Sequence, residues 1–300
     1  MVQCTDVVRA DEVIVITGCD TGLGFQLALM CARAGYTVLA AHYAAEAPRV
    51  LLRADRIDVV RADVTSQNDL IDLKKHVQER YPQGIFAIIN NAGVADGFLT
   101  VRTPVETWRR VFEVNCFGAM QVVRHLLPQL RERGRIVQVS SFLSRQPLFA
   151  SGTYSASKAA LDAASDALRL ELAMQGYSTR VCVAHLGVMK TALQSHACAA
   201  LSSHNTEKEW VTVLEQVSRV LGLLSRPART HAETLVHRCL LSHRMPSRVT
   251  VGLDARLINA LRWTLGEAFI RHVCRVVYPL PPRPLSVVFR AIRRILARLS

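Results

Sequence analysis

Between residues 13 and 185, short runs of β-branched and apolar residues alternate with stretches of helical periodicity. This alternation constrains the fold more than any other feature of the chain. The runs are VIVIT (13–17), YTVLAA (36–41), IDVVR (57–61), FAIIN (86–90), RIVQVS (135–140) and TRVCVAH (179–185). Several are apolar at successive positions, as strands covered on both faces must be. Helices are predicted near 23–34, 67–80, 104–130 and 155–175, and RVTVG (248–252) is a candidate last strand. Strand and helix in repeated succession predict an α/β fold: a doubly wound, Rossmann-like parallel sheet with helices on both faces. One domain is expected over 1–255, with the Ser/His/Ala-rich stretch 192–230 as a lid over a site. A basic helical C-terminal extension follows over 256–300.

Composition narrows the function classes. Half of the 300 residues are apolar, enough to bury one substantial core. No uncharged apolar run approaches the ~20 residues of a spanning helix. The N-terminal stretch carries Asp6, Arg9, Asp11 and Glu12 and no apolar core, so a secretory signal is not expected and an intracellular protein is. The eight cysteines are scattered without a C-x-x-C pair, which predicts reduced thiols and no metal site. The formal charge of +13 points to an anionic partner, whether a nucleic acid, a membrane surface or a cofactor.

Glycines at 18, 22 and 24 lie where the first strand meets the first helix. Glycine permits a tight turn and a close backbone approach to a pyrophosphate, and the helix N-terminus offers free N–H groups and partial positive charge. Tyr154 and Lys158 stand one helical turn apart on one face, and Ser141 ends a strand. An unperturbed tyrosine, with a pKa of about 10, is a poor base near neutrality, and an adjacent ammonium favours phenolate. The spacing therefore predicts a proton-transfer pair in which Lys158 lowers the pKa of Tyr154.

The G-x-x-x-G-x-G loop with Tyr154-x-x-x-Lys158 resembles the short-chain dehydrogenase/reductase family, and further motifs fall in its order: RADV (61–64), NNAG (90–93), NCFG (115–118) and VSS (139–141). The resemblance covers roughly residues 12–255. It implies NAD or NADP as cofactor and catalysis by Asn115, Ser141, Tyr154 and Lys158. Ser141 would orient the substrate oxygen, and Asn115 would hold a water linking Lys158 to solvent. The implied cofactor contacts are Thr17, Gly18, Asp20, Gly22, Leu23 and Gly24 in the loop, Asp63 and Val64 at the adenine, and Asn90, Ala92 and Gly93 after the fourth strand. Tyr154 and Lys158 would hold the ribose, and Gly187, Val188 and Thr191 the nicotinamide carboxamide. Leu186 stands where the family has proline, which predicts a looser loop after the sixth strand.

NADP enzymes place Arg or Lys near the adenosine 2′-phosphate, whereas a carboxylate there favours NAD. Asp20 would repel a phosphate, Glu46 is placed for a ribose and Arg49 for a phosphate, so the balance leans to NAD with NADP open. ITGCDTGLG, GYTVLAA and RVTVGLDARL are most similar to the branch holding retinol and hydroxysteroid dehydrogenases and membrane-associated 3-hydroxybutyrate dehydrogenase. The expected substrate is a small-molecule alcohol or carbonyl, and family likeness implies a homo-oligomer packed through 104–130 and 155–175.

In the last stretch, 285–300, Leu285, Val288, Phe289, Ile292, Ile295, Leu296 and Leu299 share one helical arc, opposite Arg290, Arg293, Arg294 and Arg298. That pattern fits a helix lying on an anionic membrane surface, of the endoplasmic reticulum or mitochondrion, and equally one packing on protein. Nucleic acid is not expected, because no recognition motif accompanies the arginines. The rival reading is a non-catalytic dinucleotide-binding sensor or scaffold docked through its basic tail.

Overall fold

The computed structural model describes residues 11–96, 99–148, 150–189, 225–257 and 260. Seven strands form one sheet: β1 (Val13–Thr17), β2 (Thr37–His42), β3 (Ile57–Arg61), β4 (Ile85–Asn90), β5 (Leu130–Ser141), β6 (Arg180–Leu186) and β7 (Arg248–Val251). They run in the order β3-β2-β1-β4-β5-β6-β7, and every pairing is parallel. The chain winds outward from β1 to β3, returns to lay β4 against β1, and then winds the other way. That reversal opens a crevice at the carboxyl ends of β1 and β4, where ligands bind in open parallel sheets.

Side chains of β1 alternate between two apolar layers. Ile14 and Ile16 join a cluster with Leu27 and Cys31 of α1 (Gly22–Arg33). Val13 and Val15 join Leu70, Leu73 and Val77 of α3 (Gln67–Arg80) on the opposite face. A strand buried on both faces has no polar position to spare, which is why its sequence is a continuous apolar run. A short helix, α2 (Arg49–Leu52), precedes β3.

Three segments differ from the sequence expectation. The helix predicted over 104–130 is α4 (Val105–Phe112), a π-helical turn (Glu113–Gly118) and α5 (Ala119–Leu126), and it ends in a 3-10 turn containing Pro128. β5 therefore begins at Leu130, before a register irregularity and Arg133 at φ +59° that hide it from a two-residue period. Residues 225–230, assigned to the lid, lead into α7 (Ala228–Leu235), which packs Leu235 on the α1 layer. Residues 192–224 of the expected lid and 261–300 of the C-terminal extension lie outside the described residues, as does Thr191. Among the described residues no helix is long and apolar enough to cross a membrane.

Candidate active site

The loop from β1 into α1 is shaped by close packing. Gly18 is at φ +71°, a conformation L side chains rarely adopt, and a Cβ there would lie 2.7 Å from Ala92 Cα. A Cβ on Gly24 would lie 2.2 Å from the Gly18 carbonyl oxygen and 2.5 Å from Asn91 Nδ2. Thr17 and Asn91 tie the loop to the end of β4. The Thr17 hydroxyl accepts the N–H groups of Asn91 and Ala92, both at 3.1 Å, and Asn91 Nδ2 donates to the carbonyls of Thr17 and Gly18, both at 3.0 Å. Thr21 caps α1 without a side-chain hydrogen bond, and the first turn carries no acid. An uncapped helix end behind a glycine loop fits a pyrophosphate. The residues present thus fit a dinucleotide at the crevice.

Asp20 reaches out of this loop to the tip of β2, where its carboxylate accepts the N–H groups of Tyr43 (3.0 Å) and Ala44 (2.8 Å). A negative charge is fixed at the strand end that faces the adenosine ribose in folds of this type. Asp63 turns one carboxylate oxygen onto Thr65, and Val64 packs where a Cβ on Gly118 would meet it at 2.8 Å. Asn90 faces the interior, with Nδ2 donating to the Ala119 carbonyl and to Gln138 Oε1.

Tyr154 and Lys158 lie in the first two turns of α6 (Gly152–Met174). Lys158 is 3 % exposed; its ammonium donates to the Val139 carbonyl at 2.9 Å and stands 5.9 Å from the centroid of the Tyr154 ring. Asn115 sits on the π-helical turn, where the wider winding turns its side chain inward. Its Oδ1 accepts the Val94 N–H, and Nδ2 donates to the Val94 carbonyl and to the Ser157 hydroxyl. A Cβ on Gly93 would lie 3.2 Å from Asn115 Oδ1 and 3.5 Å from Lys158 Nζ, which places these three groups together. Ser141 ends β5, its hydroxyl accepting the Leu143 N–H at 3.2 Å.

The electrostatics correct one expectation. Burial pushes the Tyr154 phenol up to about 12, and the Ser141 hydroxyl facing it only partly opposes that. Burial likewise pulls Lys158 down to about 8, with Asp162 resisting. The ammonium is held on the Val139 carbonyl, 5.9 Å from the centroid of the ring, and desolvation decides the direction in which the phenol moves. Burial thus favours the protonated phenol, the opposite direction to the one expected from the Tyr–Lys spacing.

The first residues after β6, 187–189, are tied down, while the loop that Leu186 is expected to loosen lies from residue 190 outside the described residues. β6 runs through Leu186, which pairs with Val251; Gly187 N–H donates to the Val251 carbonyl at 2.7 Å, and Val188 N–H donates to Asp254 Oδ2 at 2.6 Å. A Cβ on Gly187 would lie 2.2 Å from Asp254 Oδ1, so the buried carboxylate replaces the restraint a proline would supply.

The described residues thus bring the glycine loop, Asn115, Ser141, Tyr154 and Lys158 to one crevice at the carboxyl ends of the strands. Sequence reading passed over Asn91, Asp162 and Asp254. The doubled Asn in NNAG and an acid one turn after Lys158 on a buried helix face were signals for the first two.

The family model described as short chain dehydrogenase matches residues 12–201, well over half the chain. The chain belongs to the short-chain dehydrogenase/reductase family. Among its relatives, mouse 17-beta-hydroxysteroid dehydrogenase type 6 is 35 % identical over 217 residues, covering 71 % of this chain and 67 % of the relative. Mouse retinol dehydrogenase 5 is 30 % identical over 296 residues, covering 92 % of each. The crystal structure of a short-chain dehydrogenase from Streptomyces avermitilis superposes with a TM-score of 0.72 at 26 % identity, covering 87 % of this chain and 95 % of that one. The protein is accordingly an oxidoreductase that uses a nicotinamide dinucleotide and acts on a small-molecule alcohol or carbonyl.

Proposed function

We propose that this enzyme interconverts a hydrophobic secondary or allylic alcohol, of the retinol or hydroxysteroid type, with its carbonyl compound, using NAD. The observation that carries the chemistry is the joint placement of Tyr154, Lys158, Ser141 and Asn115 at the crevice. When bound, the nicotinamide supplies the hydride acceptor or donor. In reduction the Tyr154 phenol gives its proton to the carbonyl oxygen, and in oxidation the Tyr154 phenolate takes the proton of the alcohol hydroxyl. Ser141 orients that oxygen with its hydroxyl. Lys158 holds ribose hydroxyls and, when charged, favours the phenolate. The side chain of Asn115 is committed to Val94 and Ser157, so its part is to brace the β4 loop against α6 and keep Lys158 in place.

The lean to NAD is supported by the carboxylate of Asp20 on the Tyr43 and Ala44 amides, which opposes a 2′-phosphate. The substrate class is supported by the retinol and hydroxysteroid dehydrogenases among the relatives. Association with an anionic membrane surface of the endoplasmic reticulum or mitochondrion is supported by the arginine-faced pattern of 285–300, and self-association by family likeness.

Dinucleotide reduction by wild type and Tyr154→Phe, with NAD⁺ and NADP⁺ tested separately on retinol, hydroxysteroids and 3-hydroxybutyrate, tests this reading. Turnover with NAD⁺ that Tyr154→Phe abolishes is expected. Tight NADH binding with no turnover on any alcohol, with or without phospholipid, would replace it with the scaffold reading. For the membrane, deletion of 285–300 is expected to abolish flotation with anionic liposomes.

A further inference from the structure

Behind the four catalytic side chains lies a buried charged network that the chemistry above does not use. Asp162 follows Lys158 by one turn on the buried face of α6. Its Oδ1 accepts the Ser140 hydroxyl at 2.6 Å, and its Oδ2 accepts the Ser144 hydroxyl at 2.8 Å and faces His185 Nε2 at 2.7 Å. Arg248 of β7 stands 3.8 Å away and pairs also with Asp166 of α6. The elements packed around the carboxylate offer it a donor or a positive charge: β5 through Ser140, the turn after it through Ser144, β6 through His185 and β7 through Arg248, while Lys158, one turn back on the same helix, puts its ammonium on the carbonyl of Val139, the residue before Ser140. Among the described residues Asp166 brings a like charge to the same helix, and Arg169 and Arg248 both pair with it.

Two groups favour the charged form of Lys158: Asp162 first and the Cys116 thiol second. Burial pushes the Cys116 thiol up, so at neutral pH it is uncharged and offers no counter-ion. Asp162 does carry charge. Burial alone would raise its carboxyl, but the hydrogen bonds from His185, Ser140 and Ser144 outweigh it and hold the group below the usual carboxylate range.

We propose that Asp162 is a positioning residue of the active centre: its buried carboxylate, locked by Ser140, Ser144 and His185, is the counter-charge that keeps Lys158 an ammonium. An isolated ammonium 3 % exposed is costly and would give up its proton. With the proton gone, Lys158 loses both a donor toward ribose and its pull on the Tyr154 phenol. The role of Lys158 rests on the dehydrogenase reading; the coupling of the two charges does not.

The full-length chain labelled with [13Cε]-lysine tests the coupling by NMR. It holds five lysines, and Lys158→Met assigns the resonance of Lys158. In Asp162→Asn the Lys158 titration midpoint is expected to fall by about one pH unit or more, the size of shift that a close opposite charge produces. Asp162→Glu, which keeps the charge, is expected to restore most of it. A midpoint that stays put in Asp162→Asn, or falls equally in Asp162→Glu, overturns the proposal. Because coupling is reciprocal, Lys158→Met must raise the midpoint of Asp162 read through its 13Cγ resonance, and an unmoved Asp162 there overturns it too. That second measurement leaves the Asp162 network in place, so it answers even if Asp162→Asn does not fold. Neither measurement needs a substrate, so a protein that turns over no alcohol can still pass or fail.

Discussion

At the β1–β4 side of the crevice the loops are joined by backbone groups and neutral side chains. Thr17 and Asn91 make the ties, and Gly18 and Gly24 let the backbones touch. At the β5–β6 side the loops are joined by buried charge: Lys158 on a carbonyl, Asp162 among three donors and Asp254 on an amide. The first side, which the proposed function gives to the pyrophosphate, is set by volume, and its packing should be indifferent to pH. The second, to which the proposed function gives the proton transfer, is set by charge and should answer to pH strongly. A fold that must both grip a constant cofactor and titrate in a controlled way has separated the two tasks across its switch point.

The largest test of that division is Tyr154→Phe, which removes one hydroxyl from the charged side. Turnover is expected to fall by about 10²–10⁴-fold, the usual contribution of a positioned acid/base, while NADH affinity by fluorescence titration stays near wild type. Loss of NADH binding as well would mean the two sides are not separable.

On the other side, Gly24→Ala should weaken dinucleotide binding and destabilise the fold by about 1–3 kcal/mol in urea unfolding, as overpacking does. In an open helix the same change would stabilise by up to about 1 kcal/mol, so the sign itself reports the 2.2 Å approach to Gly18. The loss should be the same at pH 6 and pH 9.

Stability against pH divides the sides further. The folded Lys158 titrates near 8 against an ordinary 10.5, so between these values the unfolded chain holds a proton that the folded one has released. Across that window Lys158 alone therefore contributes a rise in stability of about 1 kcal/mol per pH unit, read as the difference from Lys158→Met because the buried Cys19 and Cys31 thiols, raised by burial, act in the opposite direction. Lys158→Met should lack this rise, and Gly24→Ala should keep it. Tyr154, raised to about 12 from 10, acts oppositely at higher pH: its contribution is present below 10 and is lost as the pH climbs through 12.

A smaller effect is expected at the β6 exit. Gly187→Ala should destabilise the wild type more than it destabilises Asp254→Ala, because the carboxylate it would strike is gone; a double-mutant cycle should give a coupling of about 0.5–3 kcal/mol. Smallest of all, Lys75→Ala breaks an exposed pair with Glu79, and its Tm should be indistinguishable from wild type.

Much of the architecture was legible in the sequence. β1 and β3 fall on the expected residues, and α1, α3 and α6 lie within three of theirs, because apolar runs and helical periods are properties of neighbouring residues. The order of the motifs likewise placed Ser141 at a strand end and Tyr154 and Lys158 on one helix. Local pattern failed where long-range packing decides: the π-helical turn that carries Asn115, the early start of β5, and α7, whose apolar side packs on α1 and on β7.

The sequence by itself determined that a parallel sheet would carry a glycine loop and a Tyr–Lys pair, since each is written in residues a few positions apart. Only the tertiary structure decided the charge states. Whether Lys158 keeps its proton depends on Asp162, and the charge of Asp162 depends on His185, 23 residues further along, and on the strand end at Ser140. Desolvation acts on a group according to what surrounds it in space, so no reading of neighbours along the chain could have given the direction in which Tyr154 moved.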